Sequence, residues 1–344
     1  MPAAALRCWQ DVPPGWEALA RTDPGATPGH QPALWHALID ALPGCSLRVI
    51  GLEMDGVAVA GAPVLIQRRA GLHWLQALPF LLPAAPIAHA GGHAAADPAI
   101  ARGMADLQRE VGAVGGAWAC YRPGPIPLDA AEVEGVSGFT RHMECAVIDL
   151  APGTGHALRV MDRKERQGLQ RARATGLETR EEPEALAAAV ALHARQAREW
   201  RGHRPPPIEL SRRLLVARAG QPPAARLFTC RDSGGLLSAV LVLDAPHECL
   251  LWWSGTHPEG RRRNAFAVLA WSVVEWAAAN GRARVNLGAS TGLERVGAFK
   301  LSMGARIVRY PVRWLDARHA PLAGRVIGAL QERMRRGRAR GSDA

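Results

Sequence analysis

The order of elements along the chain predicts an α/β (α+β) fold of two tandem domains, each a mixed central sheet flanked by helices. Three observations carry this. The chain has 344 residues, enough for two cores at roughly 100–200 residues per domain. Short apolar runs with strand character alternate with stretches of helical spacing. Helices, three consecutive strands, a helix, a strand and a further strand occur in that order twice.

In the first half, residues 31–42 have helical spacing. Residues 47–53 and 57–67 read as two strands around the turn pair Asp55-Gly56, and 71–78 as a third. Residues 97–111 form a helix, with Asp97 as N-cap, Pro98 at the first helical position, and Ile100, Met104, Leu107 and Val111 on one face. A strand at 117–121, a Pro/Gly-rich loop at 122–128 and a strand at 141–150 complete this half. The second half opens with one basic helix over 156–175, closed by Gly176. A short strand at 177–180 follows, then a helix from Glu182-Pro183 to Trp200 and another near 209–219. Residues 226–231 and 236–243 form a hairpin around Ser233-Gly-Gly235, with a third strand at 248–254. A long helix at 264–279, a strand at 284–287, a short helix at 293–301 and a final strand at 307–315 end the domain. The expected division is residues 1–150, 151–318 and a basic amphipathic tail at 319–344, with Val326, Ile327, Leu330 and Met334 set against Arg325, Arg333, Arg335 and Arg336.

The formal net charge of +11 suggests an anionic partner: nucleic acid, a phosphate-bearing cofactor, an acidic carrier or a membrane surface. Of 42 cationic side chains only two are lysines, Lys164 and Lys300. Where arginine is otherwise the rule, a lysine suits a tight anionic centre that a planar guanidinium does not fit. The six cysteines form no C-x-x-C pair and no zinc spacing, so buried free thiols in a reducing compartment are expected. The N-terminus lacks an apolar signal segment, and Pro79, Pro83 and Pro86 interrupt the most apolar stretch, residues 75–90. A cytoplasmic location is expected; the tail reads as a solvated terminal helix or, more sharply, as a membrane-surface or RNA contact.

Three segments can carry chemistry. In residues 250–266 a strand, a loop with Arg261, Arg262 and Arg263, and a helix start at Asn264 coincide; free N–H groups and cations there suit a phosphate. In residues 284–304 a strand runs into the small-residue loop Asn286-Leu-Gly-Ala-Ser290 and on to Phe299-Lys300. Lys300 there either stabilises a developing oxyanion or phosphate, or caps a carbonyl structurally. In the basic helix, Arg159, Arg163, Lys164, Arg166, Arg171 and Arg173 recur at spacings of three or four, which makes either a solvated face or a phosphate contact. His89, His93 and Asp97 are poor candidates for a metal site, because the double glycine between the histidines argues against a helix. Glu275 and Glu294 are the available carboxylates for a base. Walker, Rossmann, G-x-S-x-G and H-E-x-x-H motifs are absent.

At three stretches the chain resembles the FemAB-like branch of the GNAT acyltransferases, including the CelD-like members associated with the cell envelope and exopolysaccharide. They are the basic segment 163–176, the strand–loop–helix 252–281 with its Trp252-Trp-Ser-Gly-Thr-His-Pro-Glu start, and Asn286-Leu-Gly-Ala-Ser290 followed by Phe299-Lys300 and Gly304. The resemblance spans roughly residues 140–315; the N-terminal half follows it only in element order. It implies two tandem GNAT-like domains and transfer of an acyl or aminoacyl group to an amine, with acyl-CoA or aminoacyl-tRNA as donor and no permanently bound cofactor or metal. By the resemblance, Phe299-Lys300 matches the family's Phe-Lys, whose lysine contacts a substrate anion. Lys300, Glu294 and Asn286 are the catalytic candidates, and Arg261, Arg262, Arg263 and Asn264 the candidates for the donor phosphates. Arg163, Arg166, Trp253, Ser290 and Phe299 would then contact substrate. Many relatives have Asp where this chain has Asn286, which leaves an acid–base role at that position open. An N-acyltransferase acting on an amine-bearing small molecule or envelope precursor is the expected activity. A tRNA-dependent aminoacyl ligase and a non-catalytic scaffold of an envelope assembly are the rivals.

Overall fold

The computed structural model describes residues 4–76, 78, 82, 84–89, 92–123, 138–199, 205–217, 221–290 and 293–315. The strands in chain order are β1 (Ala5–Trp9), β2 (Cys45–Met54), β3 (Val57–Arg69), β4 (Leu72–Gln76), β5 (Ile87–Ala88), β6 (Gly115–Ala119) and β7 (Gly138–Asp149). They continue with β8 (Glu178–Glu181), β9 (Ala225–Asp232), β10 (Gly235–Asp244), β11 (Glu248–Thr256), β12 (Arg284–Asn286) and β13 (Arg306–Leu315). The helices are α1 (Trp16–Thr22), α2 (Pro32–Ala41), α3 (His93–Glu110), α4 (Thr154–Val160) and α5 (Arg163–Arg173). After them come α6 (Leu186–Ala197), α7 (Ile208–Leu214), α8 (Pro258–Arg262), α9 (Ala265–Ala279) and α10 (Glu294–Ser302).

Two compact units result. Among the described residues, one comprises those within 4–25, 42–142 and 310–315; the other comprises those within 26–41 and 143–309. In the first, β2, β3 and β4 form an antiparallel meander, and α3 leads on to β6, which pairs parallel to β4. The Asp55-Gly56 turn has φ of 51° and 81° at its two residues, the left-handed pair that a two-residue hairpin needs. Ile50, Val64, Ile66 and Leu75 of the sheet pack on Ile100, Met104 and Leu107 of α3. The second unit repeats the scheme. Here β9, β10 and β11 form the meander, and α9 leads to β12, parallel to β11. Val240, Val242, Leu251 and Val285 pack on Leu269, Trp271, Val273 and Val274 of α9, a helix apolar on nearly all sides because elements cover it.

Several expected boundaries move, each for a local reason. The single basic helix is two helices, because Asp162 ends one and starts the next: its side chain accepts from the backbone N–H of Lys164 at 2.7 Å and Glu165 at 3.3 Å. The helix expected from Asp97 begins at His93, so Pro98 lies inside it and Asp97 is not its cap. The expected loop at 257–263 contains α8, started by Pro258 and capped by His257, whose ring nitrogen Nδ1 accepts from Glu259 N at 3.2 Å. The helix opened by Pro183 is a 3-10 turn followed by α6, which stops at Ala197, and α7 stops at Leu214. β1, α1 and β5 carried no recognised signal. Of the cysteines, Cys120, Cys145, Cys230 and Cys249 are buried as expected, but Cys8 is exposed and Cys45 half-buried. Residues 319–344 and most of the 122–128 loop lie outside the described residues. Among the described residues no helix is long and apolar enough to cross a membrane.

Gly255, near the end of β11, sits where α6 crosses. A Cβ there would stand 2.4 Å from His193 N and 2.7 Å from Leu192 C, both backbone. Gly255→Ala is therefore expected to destabilise the protein by about 1–3 kcal/mol through overpacking. Thermal unfolding checks this, and an unchanged midpoint would contradict the packing described.

Candidate functional site

The parallel pairing of β11 and β12 covers three residue pairs, ending at Leu250 opposite Asn286, while β11 runs on to Thr256. β12 ends at that point, and the chemistry-bearing residues gather there. Arg284 and Asn286 alternate on β12 and so share one face, with Val285 in the core on the other. Arg284 Nε donates to Glu248 Oε2 at 2.9 Å, and Asn286 Nδ2 donates to Glu248 Oε1 at 3.2 Å. Glu248 and Asn286 are each only 1% exposed. Asn286 Oδ1 accepts from Gly288 N at 2.8 Å, folding the chain back at Gly288, whose φ of 75° suits glycine.

Lys300 closes the same loop from the α10 side. It is 8% exposed, and its Nζ donates to Gly288 O at 2.9 Å and Ala289 O at 2.8 Å. Burial pulls its ammonium down to about 8, while two carbonyl acceptors favour the charged form. The geometry is that of a lysine organising the turn after β12. Ser290 faces Gly297: a Cβ on Gly297 would meet Ser290 Oγ at 3.5 Å. Phe299 packs on Phe266 with ring centroids 5.6 Å apart, which seats α10 against the first turn of α9. Lys300, Asn286, Ser290 and Phe299 are thus brought together around one loop.

The N-terminus of α9 lies beside it. Asn264 has φ of 60°, and its carbonyl accepts from Val268 N. The N–H groups of Ala265, Phe266 and Ala267 therefore point out of the helix with no helical acceptor. Gly168 of α5 faces this end: a Cβ there would stand 3.1 Å from Asn264 Nδ2. The three arginines before Asn264 are each engaged by a carboxylate, Arg261 with Glu199 at 2.9 Å, Arg262 with Glu259 and Arg263 with Asp232. Arg263 Nη2 also donates to Thr175 O at 3.0 Å.

The remaining candidates are dispersed. Arg166 Nη1 donates to Leu158 O at 2.9 Å and Arg159 O at 3.3 Å, closing the end of α4. Arg163 is exposed at the start of α5, and Glu294 is exposed at the start of α10. Trp253 is buried against the His193 ring at 5.1 Å, and its indole N–H has no acceptor among the described residues. It occupies β11 next to a bulge, where Leu241 pairs with Trp253 and Val242 with Leu251, leaving Trp252 as the extra residue. In the first unit, His93 pairs with Asp23 at 2.9 Å and Asp97 with Arg122 at 2.7 Å. Among the described residues no cluster of side chains has metal-binding composition. Sequence reasoning missed Glu248, Arg284 and Gly168. The alternation of Arg284 and Asn286 on one strand was the only available hint.

Residues 156–300 match the GNAT acetyltransferase domain, a segment running from α4 to Lys300. No curated protein matches the chain by sequence. Among solved structures, FemX aligns with a TM-score of 0.64 at 11% identity, over 86% of this chain and 94% of that one. A tandem GNAT protein from the clavulanic acid biosynthesis pathway aligns with 0.51 at 15%, over 91% and 99%. The C-terminal domain of a putative lysylphosphatidylglycerol synthetase from Agrobacterium fabrum aligns with 0.52 at 13%, over 91% and 93%. At these identities the likeness is one of fold.

Proposed function

We propose, from the premise that residues 156–300 carry a GNAT acetyltransferase domain within a FemX-like fold, that the second unit transfers an acyl group from a CoA thioester to an amine. The observation that supports this reading is the end of β12 at Asn286, where β11 runs on, beside the N-terminus of α9, both inside the matched segment. The amine nitrogen attacks the thioester carbonyl; the C–N bond forms, the C–S bond breaks, and the departing thiolate takes up the proton the amine releases. Such a step needs orientation and stabilisation of the developing oxyanion more than covalent help. The N–H groups of residues 265–267 would take the donor's diphosphate, with Asn264 at its edge. Arg261, Arg262 and Arg263 contribute positive potential there, each in partnership with its carboxylate. Asn286 and Lys300 act as positioning residues for the Gly288–Ser290 turn, where Ser290 and Phe299 would line the acyl end. Trp253 would offer its indole N–H to the acceptor; Arg163 would meet an anionic part of a substrate, while Arg166 holds α4. Glu294 is the candidate to relay the amine proton from its exposed position.

The likeness to FemX favours a second donor, an aminoacyl-tRNA, and an acceptor among envelope or exopolysaccharide precursors belongs to the same proposal. A thermal-shift series separates the donors. Acetyl-CoA at about 100 times its Kd is expected to stabilise the native state by about 2.7 kcal/mol, a rise of several degrees. Gly168→Leu, which fills the space before Asn264, is expected to abolish the rise without lowering the ligand-free midpoint by more than a few degrees. A response to aminoacyl-tRNA alone would reassign the donor, and silence toward both would sink the transferase reading.

A further inference from the structure

We propose that the surface formed by the end of α4, the start of α5 and the outer face of α10 docks on an anionic lipid bilayer. Val160 is 50% exposed, Leu301 51% and Ile307 39%, three of the exposed large aliphatic side chains among the described residues. They are not scattered. Gly304 follows the end of α10: a Cβ on it would stand 3.1 Å from Val160 Cγ2, and its N donates to Leu301 O at 2.9 Å. Asp162 N donates to Ser302 O at 2.8 Å, which joins the start of α5 to the end of α10. Ile307 follows three residues beyond Gly304 on β13.

The rim is cationic. Arg159, Arg163 and Lys164 are exposed around Val160, and Arg295 and Ala298 share the outer face of α10 with Leu301. Against the four cations Arg159, Arg163, Lys164 and Arg295 stand Asp162, which caps α5, the half-buried Glu165, whose carboxyl burial raises, and Glu294, so cations are in the majority on the rim. Glu294 is the exposed acid of that face. Aliphatic tips within a ring of cations match a bilayer interface, where apolar side chains enter below the headgroups and arginine or lysine meets lipid phosphate. A single-stranded nucleic acid would call for aromatic stacking platforms, and none of the residues of this patch is aromatic. The patch is distinct from the basic tail; Arg163 and Glu294 on its rim also belong to the proposed transfer site, whereas Val160, Leu301 and Ile307 do not.

Co-sedimentation of the full chain with vesicles tests this, using phosphatidylcholine alone and phosphatidylcholine with about 30 mol% phosphatidylglycerol, at low salt and at about 0.15 M. The expected result is partitioning onto the anionic vesicles at least tenfold stronger than onto the neutral ones, and weaker at the higher salt. Val160→Asp with Leu301→Asp is expected to lose at least tenfold of that partitioning with an unchanged melting temperature. Should that variant fold poorly, Val160→Ser with Leu301→Ser replaces it with the same expectation. Wild-type partitioning by the variant, no partitioning by the wild type, or bulk tRNA binding that is lost in the same variant would each overturn the proposal.

Discussion

Glu248→Ala is expected to lower stability by about 3–5 kcal/mol, because it removes one partner of a buried ion pair. The side chains of Arg284 and Glu248 are 6% and 1% exposed. Without the carboxylate, Arg284 keeps Ala26 O at 3.3 Å among the contacts described, and Asn286 Nδ2 loses its acceptor as well. Losing the carboxylate that balances a buried guanidinium costs more than the pair contributes. The companion change separates these terms. Glu248→Leu combined with Arg284→Leu removes both charges and is expected to recover most of the loss. Urea unfolding of both variants reads the midpoints at a constant m-value. A loss below about 1 kcal/mol for Glu248→Ala would mean that solvent reaches Arg284, against the burial described.

The same residues show what can be read from sequence and what cannot. Periodicity marked the sheet strands other than β1 and β5, and α9, and the Asp55-Gly56 and Ser233-Gly-Gly235 turns located both hairpins, since these signals lie within a few residues of one another. The segments 250–266 and 284–304 were likewise legible as places where a strand meets a helix start and a small-residue loop. Partnership was not legible. Arg261 and Arg263 are engaged by Glu199 and Asp232, residues 62 and 31 positions away, and Glu248 lies 38 positions from Asn286. In a sequence written so heavily in arginine, a run of three reads as free charge until its carboxylates are placed. The break at Asp162 was hidden for a similar reason. One acid in a basic stretch looks like a surface charge, and only the two backbone N–H groups it accepts from make it a helix cap.

Lys300→Met is expected to reduce acyl transfer by about 100-fold in kcat, the scale of a displacement of about 1 Å at a reacting centre. The variant removes the group that holds the carbonyls of Gly288 and Ala289, so the turn after β12 loses its anchor on α10. Lys300→Arg is not expected to restore the rate, because a planar fork cannot place one nitrogen between two carbonyls in the space of an ammonium. A pH series on stability gives a readout that does not depend on the substrate. In the native state burial lowers this lysine from 10.5 to about 8. Below about pH 8 the group is charged in both native and unfolded chains, and the full cost of burying it is present. Between about 8 and 10.5 the native state sheds the proton first, so the unfolded state binds more protons and this group's contribution to stability rises with pH. The wild type should therefore gain about 3 kcal/mol relative to Lys300→Met across that window, at 1.36 kcal/mol per pKa unit. Parallel stability curves for the two proteins would show that Lys300 is solvated, and a kcat within about threefold of wild type would show that the turn keeps its shape without it.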